Sequence, residues 1–350
     1  MVLVGEEPAN LSFIPTRSGS IVVRSTYRDG LPQTILYELG RDYVVDAAGR
    51  IKRTPQSRIP DFRTNILFGK LAFNDSEVPA SGNGPFFIYV DYSHGEKWMP
   101  VPPSPELGAT LLPNTQKKLG DGKTIRMVAY GDSITAGAEA SDSGLIFWDR
   151  WATSLRKKYP RAIIETVNSG MRGTAMEGGV QELSAKVIAH RPDLVLIGFG
   201  MNDFSLGEKL SLADKLRAKL DWLRFRIGLG KDGARQGALP RVFSDRLRMV
   251  IDRVRAETDA EIVLFSTFPP NPKWHFRKDN LAGIYDMAAF AAATEQVARE
   301  KHCAFADVYH NWLQFAGKRK PEDLLANNVN HPNDFGHWIY FQAFEALHLQ

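Results

Sequence analysis

Residues 130–136, Tyr130-Gly131-Asp132-Ser133-Ile134-Thr135-Ala136, put a serine hydroxyl just after a short apolar run at 125–129 and just before Gly137. A small hydroxyl residue on a tight strand-to-helix connection is where α/β enzymes hold a nucleophile in view of solvent, and covalent acyl transfer is the chemistry such a serine can perform. Taken alone, Gly-Asp-Ser fits a structural loop serine at least as well. Three further clusters change the balance by their order. Asn168-Ser169-Gly170-Met171-Arg172-Gly173-Thr174 follows an apolar run at 162–167, and Gly200-Met201-Asn202-Asp203 follows another at 194–199. Asn328-Val329-Asn330-His331-Pro332-Asn333 stands near the C-terminus. In isolation Gly173 reads as a turn glycine and Asn202 as a loop cap.

Together the four clusters resemble the sequence blocks of the SGNH hydrolases, also called the GDSL esterase/lipase family, over roughly residues 124–350. Acyl transfer from an ester requires a nucleophile, a base to take its proton and donors for the oxyanion. The resemblance implies Ser133 as nucleophile and His331 as general base. It implies an oxyanion hole made of the Ser133 and Gly173 backbone N–H groups and the Asn202 carboxamide. One position departs from the family pattern: three residues before the histidine, where an aspartate is usual, stands Asn328. A neutral amide can orient an imidazole but cannot stabilise an imidazolium by charge. Three readings stay open: Asn328 or a backbone carbonyl orients His331, another carboxylate such as Asp334 or Asp323 does so, or the enzyme is crippled. His337, six residues beyond His331, reads as a packing residue.

Competing chemistries find little support. No G-x-S-x-G elbow is present, and Gly122-Lys123-Thr124 precedes a strand where a phosphate-binding loop needs a helix. The eight histidines lack metal-ligand spacing, so no metal and no cofactor is expected. Cys303, the single cysteine, sits beside Ala304 and Phe305 and reads as a buried structural thiol. A formal charge of +4 over 350 residues gives no argument for a nucleic-acid partner. No stretch approaches the ~20 apolar residues of a membrane span. The sequence MVLVGEEPANL lacks the basic and apolar regions of a signal peptide. The expectation is a mature secreted or periplasmic form, or a cytoplasmic protein. Oligomeric state is not legible.

The elements that must position these residues fall into two parts. Residues 1–100 show short β-type runs (20–27, 34–39, 43–45, 65–73, 86–92), with a hairpin turn at 46–50, and read as a small jelly-roll-like β-sandwich. A proline-rich linker at 101–123 follows. From 124 to 350, strand-like runs at 125–130, 162–167, 194–199, 261–266 and 303–308 alternate with helical spacing such as Phe147, Trp151, Leu155 and Leu247, Val250, Ile251, Val254. Alternation of this kind predicts parallel strands with crossover helices, the motifs lying at carboxyl ends. The resemblance implies a flavodoxin-like five-stranded sheet of order 2-1-3-4-5. Two insertions are candidates for shaping specificity: 204–240, with Ser211 capping an amphipathic helix, and 268–275, where Trp274 either stacks on a sugar or packs its loop. Arg172 and Asp132 are further candidate substrate-binding residues. The two-part layout resembles acetylxylan esterases, which implies removal of a short acyl group, acetyl above all, from a carbohydrate. The alternatives are a short-chain lipid or aryl esterase or thioesterase, and a carbohydrate-binding protein with an inactive hydrolase domain.

Overall fold

A computed structural model describes residues 1–16, 20–27, 29–203, 238–274 and 287–349. The insertion at 204–237, with its expected cap at Ser211, and His275 lie outside the described residues. The chain divides into two compact units: Met1–Met99 with the described part of 270–283 and Leu313–Gly336, and Pro100–Pro269 with the described part of 284–312 and His337–Gln350.

The larger unit is built on five parallel strands, β6 (Thr124–Gly131), β7 (Ile163–Gly170), β8 (Leu194–Gly198), β9 (Glu261–Phe265) and β10 (Ala304–Ala306). Their spatial order, β10-β9-β8-β6-β7, is the expected 2-1-3-4-5. Strand β8 lies inside the sheet and is buried along its whole length, which is why its sequence is the unbroken apolar run LVLIG. Strand β7 closes one edge and alternates buried with exposed positions, so glutamate and threonine are tolerated there.

The crossover helices follow their periodicity. α2 (Phe147–Lys158) buries Phe147, Trp151 and Leu155, one per turn, and ends at Tyr159 before Pro160, which cannot continue it. Its aromatic ridge meets Phe344 of α8 (Asp334–Glu345), with ring centroids 5.5 Å from Phe147 and 5.2 Å from Trp151. α3 (Met176–Lys186), α4 (Ala238–Glu257) and α5 (Met287–Glu300) share a core containing Leu183, Leu247, Val250, Ile251, Val254 and Val297. The proline-rich stretch is not bare linker: it carries two short 3₁₀ turns and α1 (Pro113–Gly120), with the proline at the first helical position, where its missing N–H costs nothing. Between α5 and α8, α6 (Val308–Ala316) and α7 (Pro321–Leu324) complete the helices among the described residues.

The smaller unit is β-rich. β1 (Val22–Arg24), β2 (Leu36–Tyr37) and β5 (Tyr89–Asp91) form an antiparallel sheet of order β2-β1-β5, and β3 (Tyr43–Val45) pairs with β4 (Ile51–Arg53). The hairpin turn forms as expected, because the Asp46 carboxylate accepts the Ala48 and Arg50 N–H groups, each at 2.9 Å. These five strands are all that form in this unit among the described residues. The run 65–73 is not a strand, although its composition suggests one. Asn65 Oδ1 accepts the Leu67 N–H and starts a turn, Gly69 takes φ +74°, and Ile66, Phe68 and Leu71 are left exposed. The core gathers Leu3, Ile21, Val23, Tyr37, Tyr43, Ile51, Ile59 and Ile88. Beside it Asp42, fully buried, accepts from the Arg58 guanidinium, which holds the carboxyl well below the usual carboxylate range.

Cys303, ahead of β10, is buried, and burial pushes its thiol up to about 11. We therefore expect no labelling of the native protein by a disulfide reagent at pH 8 and labelling of the one thiol in guanidinium. Rapid native labelling would mean that the α5–β10 corner opens.

Candidate active site

The serine turn rests on three glycines that lie side by side. In the register of the sheet Gly131 of β6 is opposite Gly170 of β7 and Gly198 of β8. A Cβ on Gly131 would overlap the Thr135 hydroxyl and the Gly198 carbonyl, and one on Gly170 would overlap the Ala136 backbone. The chain after β6 can therefore fold down onto the sheet's carboxyl edge. It does so as a wound turn, with Ala136 N donating to Asp132 O (3.0 Å), Gly137 N to Ile134 O (3.0 Å) and Ala138 N to Ser133 O (2.9 Å). The Trp148 indole N–H donates to Thr135 O at 2.8 Å and fastens the turn to α2. Ser133 sits inside this turn, buried.

Asp132 is buried beneath the turn, where its Oδ1 accepts the Ile134 N–H at 2.9 Å. That places it as a cap of the serine turn. Gly173 adopts φ +69° with open space around it, a conformation in which an L side chain is strained, and Arg172 beside it is exposed. Asn202 reaches the same loop: its Nδ2 donates to Thr174 O at 3.2 Å. Ser133, Gly173 and Asn202 thus belong to one unit, at the ends of β6, β7 and β8.

Asp203, next to Asn202 in the sequence, has a partner visible only in three dimensions. Its carboxylate accepts the Met176 N–H at the start of α3, at 3.0 and 3.2 Å. Asn202 and Asp203 therefore clamp the 173–176 segment at two points. Asp203 is only 1% exposed, and its carboxyl is pushed up to about 7 by burial first, opposed by the Met176 N–H and raised further by the Asp132 charge.

His331, Asn328 and Trp274 belong to the smaller unit. His331 ends a turn in which Asn327 Oδ1 accepts the N–H groups of Val329 (3.0 Å), Asn330 (3.0 Å) and His331 (2.9 Å). Asn328 is buried at φ +61°. Its Oδ1 accepts from Asn83 Nδ2 at 3.3 Å and from Asn271 Nδ2 at 3.2 Å. A carbonyl oxygen has two lone pairs, so the acceptor through which Asn328 would orient an imidazole is already filled by two amides. Of the alternative carboxylates, Asp323 accepts the Val2 N–H at 2.9 Å, and Asp334 is a hydrogen-bond partner of Tyr89, whose hydroxyl burial and this carboxylate push up. Trp274 is 4% exposed, donates its indole N–H to Asp75 Oδ1 at 2.7 Å and bridges Phe73; it packs its loop. His337, in the larger unit, is buried and stacked on Phe147 at 6.2 Å, as a packing residue should be. Among the described residues no group of three or more His, Cys, Asp or Glu side chains is placed to hold a metal ion, and no helix is long and apolar enough to cross a membrane.

A family model described as the GDSL-like Lipase/Acylhydrolase family matches residues 129–339, a span that takes in Ser133, Gly173, Asn202, Asn328 and His331. No curated protein sequence matches the chain. Among solved structures, the chain is similar to a mutant of Axe2, an acetyl-xylooligosaccharide esterase from Geobacillus, at 20% identity and TM-score 0.46, covering 64% of this chain and 94% of that one. LAE5, an alpha/beta hydrolase enzyme from the metagenome of Lake Arreo, Spain, gives 20% identity and TM-score 0.46 over 64% of this chain and 95% of its own. A two-domain esterase (CEX) active on acetylated mannans gives 18% identity and TM-score 0.48 over 69% of this chain; the match spans about half, 53%, of that esterase.

Two expectations follow from the geometry. Gly170→Ala forces a methyl into the Ala136 backbone and should cost about 1–3 kcal/mol or more in urea denaturation, whereas Gly173→Ala meets open space and should cost about 1–2 kcal/mol of φ strain. The Gly170 variant should be the less stable of the two, and equal costs would mean that the serine turn does not rest on Gly170. Asp203 carries a folded-state pKa raised above its unfolded value, so the folded protein holds the extra proton and stability falls as pH rises from about 4 to about 7. Asp203→Asn keeps an acceptor for Met176 and stays neutral. Its stability relative to wild type should improve across that window by about 1.4 kcal/mol per pH unit at most, read from urea midpoints at pH 4, 6 and 8. A constant difference would mean that Asp203 is ionised throughout.

Proposed function

The chain belongs to the GDSL-like lipase/acylhydrolase family, and from that membership we propose that it is a serine esterase acting on short-chain acyl esters through an acyl-enzyme on Ser133. The observation that carries the reading is the tie between Asn202 Nδ2 and Thr174 O. It holds the carboxamide and the Gly173 amide on one rigid loop pair, in the same unit as the serine turn. Donors fixed before the reaction need no reorganisation when charge develops on the carbonyl oxygen, and that is where such sites gain most of their rate.

In this mechanism Ser133 Oγ attacks the ester carbonyl while His331 takes the hydroxyl proton. The Ser133 and Gly173 N–H groups and Asn202 Nδ2 receive the oxyanion. Collapse of the tetrahedral adduct breaks the carbon–oxygen bond, and His331 returns the proton to the departing alcohol. Water then attacks the acyl-serine by the same route in reverse, releasing the acid and restoring Ser133. The substrate class we propose is an acetylated carbohydrate, on the resemblance of the two-part layout to acetylxylan esterases, with Arg172 as the exposed side chain placed beside Gly173. Residues 124–350 are the hydrolase span in this reading. A short-chain lipid or aryl ester, or a thioester, is the alternative substrate.

Hydrolysis of p-nitrophenyl acetate, butyrate and octanoate tests the proposal. Turnover should fall with chain length and vanish in Ser133→Ala, and Asn202→Ala should lower kcat about 100- to 1,000-fold. Acetylated xylan and acetylated mannan are the next substrates. Absence of Ser133-dependent turnover on every ester, with glycan binding retained, would replace the esterase by a carbohydrate-binding protein.

A further inference from the structure

We infer that Asn83 and Asn271 are positioning residues for His331, so that the N-terminal β-rich region builds the seat of the catalytic base instead of serving as a separable accessory. The inference rests on the reading of His331 as the base.

The turn 325–331 has its polar groups met by backbone and side-chain amides from two remote segments. Asn83 N donates to Ala326 O at 2.6 Å, and Asn83 Nδ2 donates to Leu325 O at 2.9 Å and to Asn328 Oδ1 at 3.3 Å. Asn271 N donates to Val329 O at 2.8 Å, and Asn271 Nδ2 donates to Asn328 O at 2.9 Å and Oδ1 at 3.2 Å. The turn then closes on itself, Ala326 N donating to His331 O at 2.9 Å. Asn83 and Asn271 are both 0% exposed. Asn83 is fixed in turn by Asn65, whose Nδ2 donates to Asn83 Oδ1 at 3.2 Å. Just before it, Gly82 takes φ +54° against the Ala326 and Asn327 backbone, and a Cβ there would overlap the Ala326 carbonyl.

A carboxamide nitrogen carries two hydrogens, and at Asn83 and Asn271 both are spent on this one turn. Side chains serving only stability could bond anywhere in the core; these converge on the few residues that carry the histidine. Asn328, in the left-handed region that asparagine tolerates best after glycine, is their common acceptor. In this chain it anchors the turn that carries the imidazole.

Asn83→Asp is nearly isosteric, removes both donors and sets carboxylate oxygens against the Leu325 and Asn328 oxygens. On p-nitrophenyl acetate with the full chain, kcat should fall about tenfold or more while KM changes less than twofold, and the acid limb of the pH–rate profile should move. Asn65→Ser leaves the donors in place but frees Asn83 to turn, and should lower kcat a few-fold. It keeps the test decisive should Asn83→Asp not fold. Wild-type kcat per folded molecule in the variants that fold, or a loss that only tracks the unfolded fraction, overturns the inference. His331→Ala is measured alongside: if it retains wild-type turnover, the reading of His331 as base fails, and the inference with it, whereas loss of turnover in His331→Ala with wild-type rates in the asparagine variants rejects the positioning role alone.

Discussion

The absence of side chains at three in-register positions, Gly170, Gly131 and Gly198, governs how the larger unit presents chemistry. Parallel strands place their carboxyl ends together, but ordinary residues there would hold the following loops off the sheet by the height of a Cβ. Here the 132–137 turn descends onto β7 at Gly170, and the Phe265 ring occupies the space a side chain on Gly198 would need. The turn's depth in turn sets where the Ser133 hydroxyl lies, and hydrogen bonds from Trp148 to Thr135 O and from the Ile134 N–H to Asp132 hold it there. The 173–176 and 200–203 loops, clamped by Asn202 and Asp203, complete a rigid rim on the same edge.

The two units satisfy buried polar groups in different ways. In the larger unit a carboxylate, Asp203, caps α3 from a neighbouring loop, and its burial raises its proton affinity, so this corner responds to pH. In the smaller unit buried carboxylates do similar work at Asp42 and Asp323, but around residue 328 the task falls to neutral amides: Asn65, Asn83, Asn271 and Asn328 are all buried and bonded in series. An amide supplies donors and an acceptor without the desolvation cost of a charge. The turn that carries His331 is thereby held by contacts that do not titrate.

What could be read from the sequence tracks the range of the determining contact. The five parallel strands, α2 and α4 were legible because apolar period and run length are local, and the order of the sheet followed from the family pattern. The run 65–73 has the composition of a strand, but an Asx turn at Asn65 and a left-handed Gly69 break it. Trp274 was undecidable, since burial and the bond to Asp75 come from nearly two hundred residues away. Asp203 stood in plain view beside Asn202, yet its role depends on where α3 begins. Asn83 and Asn271 carried no signal at all; they are single asparagines whose partners lie 245 and 57 residues along the chain.

The neutral residue at 328 bears on what chemistry such a site can sustain. Where a triad aspartate is replaced by asparagine the loss arises largely from the wrong imidazole tautomer, not from a displaced ring. Asn328 does not impose a tautomer through its oxygen, because that oxygen is filled by Asn83 and Asn271. An amide at 328 itself brings no negative charge to the turn that carries His331. Esters tolerate that, because an alkoxide leaves with less help from a proton than an amide nitrogen does. In the larger unit the 173–176 segment is held by the Asn202 amide through Thr174 O and by the Asp203 carboxyl group through the Met176 N–H.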